Sequence, residues 1–202
     1  MSRRQPQTPG QTVGPFFGQA LPYARGGELV RPGTPGAIVL TGRVTDGRGQ
    51  PVPDALLELW QRDPDGQIVR RAGSLRRDSG TFTGWGRAST DSDGVYRFTT
   101  VRPGPGPDGR AFFSLTVFAR GLLDALFTRA YLPQACGGSA TGHSVSDLQS
   151  VDAPRRSSLI ATATSGGYVF DVVLQGVGET PFFTYREPAA RHDALSQNSN
   201  PG

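Results

Sequence analysis

The sequence predicts an all-β fold, a single β-sandwich domain with long loops and at most short helices. Three observations predict it. The chain carries 28 glycines and 17 prolines in 202 residues, which argues for many short elements joined by turns. Apolar and polar residues alternate with the period of two that a half-buried strand requires, in short runs bounded by turn residues. The length suits one domain with a real core, because a chain of this size buries most of the surface its unfolded form exposes.

In chain order, residues 1–9 are polar and read as a loose N-terminal segment, followed by a compact turn-containing stretch, Gln11–Phe17 (QTVGPFF). The domain is expected to span 10–186. IVLTGRVTD (Ile38–Asp46) alternates and runs into the turn Gly47–Gly49, and PVPDALLELWQ (Pro51–Gln61) supplies the next strand. Asp63–Gly66 closes that unit. Gly84–Thr90 is a strand, and Asp91–Gly94 turns it into VYRFTTV (Val95–Val101). Phe112–Arg120 is the most apolar strand and is expected to be central. Leu126–Leu132 and Tyr168–Gln175 add two more, with Phe182–Tyr185 as a short last one. A brief helix is expected at Pro154–Ala161, since proline sits well in a first turn. Residues 187–202 turn polar and read as a disordered tail. Trp60 and Trp85 read as core, because strand aromatics usually bury.

All 21 basic residues are arginine, against 17 acids, for a net charge of +4. The arginines are scattered and form no stripe interleaved with aromatics, so nucleic acid is not an expected partner. The single cysteine, Cys136, excludes an internal disulfide framework. No apolar stretch follows Arg3 and Arg4 to make a signal peptide, and no apolar run is long enough to cross a bilayer, so a cytoplasmic setting is the expectation.

Several local motifs fail on context. Gly104–Gly109 (GPGPDG) matches the dinucleotide fingerprint, but two prolines and a following β run deny it the helix N-terminus that seats a pyrophosphate. His143 and His192 lie far apart in sequence. Cys136 with His143 lacks an orienting third group and reads as a free thiol in a loop. Neither G-x-S-x-G nor H-E-x-x-H occurs.

The order and spacing of five segments carry a resemblance that single pieces do not. They are TPGQTVGPFF (Thr8–Phe17), GRVTDGRGQPVPDALLELWQ (Gly42–Gln61), TDSDGVYRFTTVRPG (Thr90–Gly104), LTVFARGLLDALFTRAYLP (Leu115–Pro133) and YVFDVVLQGVGETPFF (Tyr168–Phe183). Together they resemble the intradiol ring-cleavage dioxygenases, β-sandwich enzymes whose ferric ion sits between two tyrosines and two histidines. Counted without gaps from GWGR (Gly84–Arg87), the four ligand positions of the family fall on Ser74, Gly106, Phe112 and Ser114. Glycine and phenylalanine offer a metal no side-chain donor, and a serine hydroxyl is a poor substitute for a phenolate or imidazole.

The resemblance therefore implies the non-metal subunit of a heteromeric member of the family. It binds no cofactor itself and pairs with a homologous subunit that holds Fe(III), in an αβ hetero-oligomer. A small aromatic carboxylate, a catechol bearing a carboxylate, would lie at the interface. This chain would line that pocket with Thr12, Gly14, Pro15, Phe16 and Arg120. Gly14 allows close backbone approach to a planar ring, Pro15 stiffens the loop, and Arg120 offers paired donors to a carboxylate. Two other readings stand beside it. Gly42–Ala55 also suits a non-catalytic transthyretin-like sandwich module, and Tyr96, Tyr131 or His143 could hold a metal in a rearranged, self-sufficient site.

Overall fold

A computed structural model of the chain describes residues 20–77, 80–133 and 147–185. Among the described residues nine strands form two sheets. Strands β1 (Ala37–Thr45), β4 (Val95–Val101), β7 (Thr162–Thr164), β8 (Gly167–Val169) and β9 (Val172–Val173) make the first. Its order is β4-β1-β8-β7, and β9 pairs with the far end of β1. Strands β2 (Leu56–Trp60), β3 (Trp85–Ser89), β5 (Phe112–Phe118) and β6 (Leu126–Tyr131) make the second, antiparallel throughout in the order β3-β2-β5-β6. Strand β5 is central, as its apolar content implies.

Alternation sets the faces. Leu57 and Leu59 of β2, and Phe113, Leu115 and Val117 of β5, point inward and are fully buried. They meet Leu40 and Val44 of β1 and Tyr96 and Phe98 of β4 in one core. Burying each such side chain contributes about 1.5–3 kcal/mol. Within the first sheet, β1 passes close to the backbone between β8 and β9 at Gly42, where a Cβ would lie 1.8 Å from the carbonyl oxygen of Phe170.

Three turns share one device. In Asp46–Gln50, Asp63–Gln67 and Asp91–Val95 the aspartate Oδ1 accepts from the backbone N–H groups two and four residues on, at 2.7–3.1 Å. The glycine three residues on takes a positive φ of 73–80° and donates its N–H to the aspartate carbonyl. These are the turns expected from DGRG, DPDG and DSDG.

Four expectations shift. Tyr168–Gln175 is not one strand; Phe170 N–H crosses to Thr41 O, and the run splits into β8 and β9, both parallel to β1. The polar triplet of β7 escaped notice because all three of its residues are exposed and show no alternation. Pro154–Ala161 forms a 3-10 helix over Ala153–Leu159, preceded by a one-turn helix α1 at Asp147–Ser150. Phe182–Tyr185 makes a single bridge, Phe183 to Phe127, in place of a strand. The expected boundaries of the domain near residues 9 and 186 lie outside the described residues. Among the described residues no helix is long and apolar enough to cross a membrane.

Candidate functional site

The outward face of the second sheet carries two of the four expected ligand positions. Phe112 and Ser114 sit two residues apart on β5, on the face opposite the core. Strand register lines up Trp85, Trp60, Ser114 and Arg129 in one row across the sheet. Phe112 is paired with Tyr131, and their rings are 5.4 Å apart. The guanidinium of Arg129 lies over Phe112, 4.4 Å from the ring centroid, and 5.9 Å from the ring of Phe183. Phe183 is held there by its N–H to Phe127 O at 2.8 Å and by Thr128 Oγ1 donating to Pro181 O at 2.9 Å.

Trp60 and Trp85 belong to this face and are only partly buried, so reading them as core is corrected. The alternation of β2 decides it: with Leu57 and Leu59 inward, Trp60 must point out. Tyr23 stacks on Trp85 with planes 4° apart and donates its hydroxyl to the carbonyl of Ser74 at 2.6 Å. That contact ties Ser74 to the same face. Arg87 also covers Trp85, at 5.2 Å, and grips Glu58 through Nε and an Nη at 3.0 and 2.5 Å.

Gly106 lies beside Arg62, whose Nε would be 3.4 Å from a Cβ at that glycine. Arg62 lies two residues past the end of β2 and donates to Gly66 O at 2.9 Å. The residues present do not fit ferric iron: the four positions offer no imidazole, phenolate or carboxylate, and guanidinium groups stand beside two of them. Among the described residues no three His, Cys, Asp or Glu side chains gather into a metal-binding group.

Arg120 lies two residues past the other end of β5, whose span from Phe112 to Phe118 alone is roughly 20 Å at about 3.3 Å per residue. Its side chain is 62% exposed and pairs with Asp54 of the same chain. Leu123, three residues on, is 62% exposed. Thr12, Gly14, Pro15 and Phe16 lie outside the described residues, as do Cys136, His143 and His192. The rearranged metal site is corrected at Tyr96: its buried hydroxyl donates to Phe170 O at 2.6 Å inside the sandwich. Burial, with Asp171 nearby, holds that phenol far above the usual tyrosine range, so no phenolate is offered. A separate cleft of about 410 Å³, between the 3-10 helix and residues 179–185, contains none of the expected site residues.

A family model described as Dioxygenase matches residues 13–120, and the chain belongs to that family, within the intradiol ring-cleavage class. More narrowly, it is 36% identical over 195 residues to the protocatechuate 3,4-dioxygenase alpha chain of Burkholderia cepacia, an alignment covering 88% of this chain and 96% of that one. The beta chain of the same enzyme from that organism is 33% identical, covering 71% of this chain and 66% of its own. Among solved structures, the dioxygenase domain of a dioxygenase carbohydrate-binding protein fusion from Streptomyces sp. SirexAA-E shares the fold. It gives a TM-score of 0.52 at 24% identity and covers 84% of this chain and 98% of that one. The family match runs through Gly42–Ala55 and on to Arg120, which sets aside the isolated transthyretin-like module.

Reading by residue type passed over Arg62, Arg129 and Phe183. Arg62 falls just past Gly42–Gln61, and Arg129 and Phe183 lie in the Leu115–Pro133 and Tyr168–Phe183 segments, which served as marks of resemblance. Nothing in the sequence says that these two segments meet.

Proposed function

We propose that this chain is the non-metal alpha subunit of a heteromeric protocatechuate 3,4-dioxygenase. A homologous beta subunit carries the Fe(III), and the catechol ring is opened between its hydroxyls with O2 to give 3-carboxy-cis,cis-muconate. The chain works in the cytoplasm, takes no part in redox chemistry, and closes one wall of the substrate pocket at the subunit interface. Thr12, Gly14, Pro15 and Phe16 form the uncharged part of that wall, and Arg120 orients the substrate carboxylate.

The observation that carries this reading is the replacement of all four ligand side chains in a chain that keeps the family fold and aligns almost end to end with an alpha chain. The position of Arg120 supports it further. An arginine past the far end of β5 cannot serve the expected ligand positions at its start, but it stands exposed beside an exposed leucine, as interface residues do.

Metal analysis and visible spectra test the proposal. The purified single chain should be colourless and iron-free. Co-expression with a beta chain bearing the Tyr/His ligand set should give a coloured complex with one iron per alpha–beta pair that cleaves protocatechuate. A monomeric chain that takes up stoichiometric iron and opens catechols unaided would disprove it.

A further inference from the structure

We infer that Arg77 is a positioning residue for the substrate pocket: its guanidinium clamps Leu21–Gly26 onto β3 and fixes the point from which the wall segment Thr12–Phe16 departs. The inference deepens the proposed function and rests on its assignment of that segment to the pocket wall. Arg77 is half-buried, and its partners are uncharged oxygens on separate stretches of the chain. Nη2 donates to Trp85 O at 2.5 Å, to Gly26 O at 3.2 Å and to the Tyr23 hydroxyl at 3.4 Å, and Nη1 donates to Thr83 Oγ1 at 3.1 Å. Tyr23 extends the link by donating to Ser74 O and stacking on Trp85. One planar fork therefore joins the N-terminal stretch, the loop before β3 and β3 itself, a geometry that a point charge such as lysine does not reproduce.

The clamped stretch crosses from the edge of β3 to the edge of β4 without a strand of its own, making a single bridge, Glu28 to Thr99. On β3, Arg87 N–H donates to Gly26 O and Arg87 Nη1 donates to Leu21 O, both at 3.0 Å. On β4, Thr99 N–H donates to Gly27 O and Leu29 N–H to Thr99 O, both at 2.8 Å. Two glycines permit the approach: a Cβ at Gly26 would lie 2.6 Å from Arg87 O, and one at Gly86 would lie 2.5 Å from Leu29 Cδ1. Arg25 takes a φ of 62°, a left-handed conformation that side chains disfavour. The turn is thus held by its contacts, and Arg77 supplies them at Tyr23 and Gly26, on either side of the strained residue. Phe16 precedes Leu21 by five residues, a reach of at most about 18 Å. Where Leu21–Gly26 is fixed therefore decides where the wall segment can act.

The test reads the clamp in the free chain and its consequence in the complex. Hydrogen-exchange mass spectrometry of the full chain follows the amides of Gly26, Glu28 and Leu29, which donate to Tyr23 O, Arg25 O and Thr99 O. Arg77→Gln should speed their exchange at least about tenfold and leave β5 protected. In the alpha–beta complex the same variant should raise KM for protocatechuate about three- to tenfold with kcat within about twofold, because a wall that is no longer preformed weakens ground-state and transition-state binding alike. Thr180→Val is the stability control: it loses the bond from Val173 N–H at the end of β9, far from the clamp in sequence, and should move neither readout. Tyr23→Phe keeps the ring on Trp85 and drops the hydroxyl; it should shift both readouts less in the same direction, and it carries the comparison if Arg77→Gln does not fold. Unchanged exchange in Arg77→Gln, an active complex with an unmoved KM, or the same KM rise in Thr180→Val overturns the inference and leaves the subunit assignment standing. A wild-type pair that does not cleave protocatechuate fails the proposed function and takes the pocket role of Arg77 with it.

Discussion

Thr100 of β4 donates its hydroxyl to Gln61 Oε1 at 2.6 Å, joining the first sheet to the end of β2 in the second with both residues fully buried. Gln61 spends its own amide on Arg62 O and Val101 O, at 3.1 and 3.0 Å. The network is closed. It also fixes the backbone where β2 ends and Arg62 follows, beside Gly106. Thr100→Val keeps the shape and leaves Oε1 buried without a donor, which costs about 1–3 kcal/mol. The melting temperature should fall by about 2–12 °C, since each kcal/mol shifts a domain of this size by about 2–4 °C. Thermal unfolding by circular dichroism checks it, and an unchanged midpoint would mean that water or a rotated amide satisfies the oxygen.

Tyr96 makes a prediction about alkaline stability. Its phenol is buried against Phe170 O, and its pKa in the fold lies well above the ordinary tyrosine value of 10.0. The unfolded chain ionises this tyrosine near pH 10; the folded chain does not. Above pH 10 the unfolded state therefore binds fewer protons than the native state, and stability falls by up to about 1.4 kcal/mol per pH unit from this residue. The contribution is intact below pH 10. The chain has no lysine to lose charge in the same range, and arginine stays protonated, so basic side chains add nothing to this limb. Tyr96→Phe should lose about 1 kcal/mol at neutral pH but show a shallower decline between about pH 10 and 11.5. Parallel declines in urea titrations of the two proteins would refute the assignment.

How far these features were readable in advance depends on how local their causes are. The three Asp turns follow from an aspartate and a glycine three residues apart, and the strands they join follow from period-two alternation, so both were legible. Strand β7 was not, because an exposed edge triplet has no inward face to mark it. Trp60 was misplaced because residue type was weighed above the inward parity of Leu57 and Leu59 on the same strand. The site split the same way. That Phe112 and Ser114 share a face needed only their spacing. That Arg129 covers Phe112 needed the pairing of β5 with β6, and its contact with Phe183 needed the bridge that pins residues 181–183 to β6. Both are long-range events with no local trace.

Arg120 separates a pocket role from a structural one. Its pair with Asp54 is largely exposed, so it contributes at most about 1 kcal/mol to the fold. Arg120→Ala should leave the melting temperature of the isolated chain nearly unchanged. In the proposed alpha–beta complex, if Arg120 holds the substrate carboxylate, the same change removes its paired donors, an interaction made equally in ground and transition states. KM for protocatechuate should therefore rise about 10- to 100-fold while kcat moves little, since a charged hydrogen-bonding pair contributes about 1.5–3 kcal/mol. Catechol without a carboxylate gives the control: its KM should not change. Asp54→Asn frees the guanidinium from its internal partner without removing it, and should lower KM for the carboxylated substrate slightly or leave it alone. If Arg120→Ala instead slows both substrates alike, or weakens assembly of the two subunits, Arg120 serves the interface and not the carboxylate.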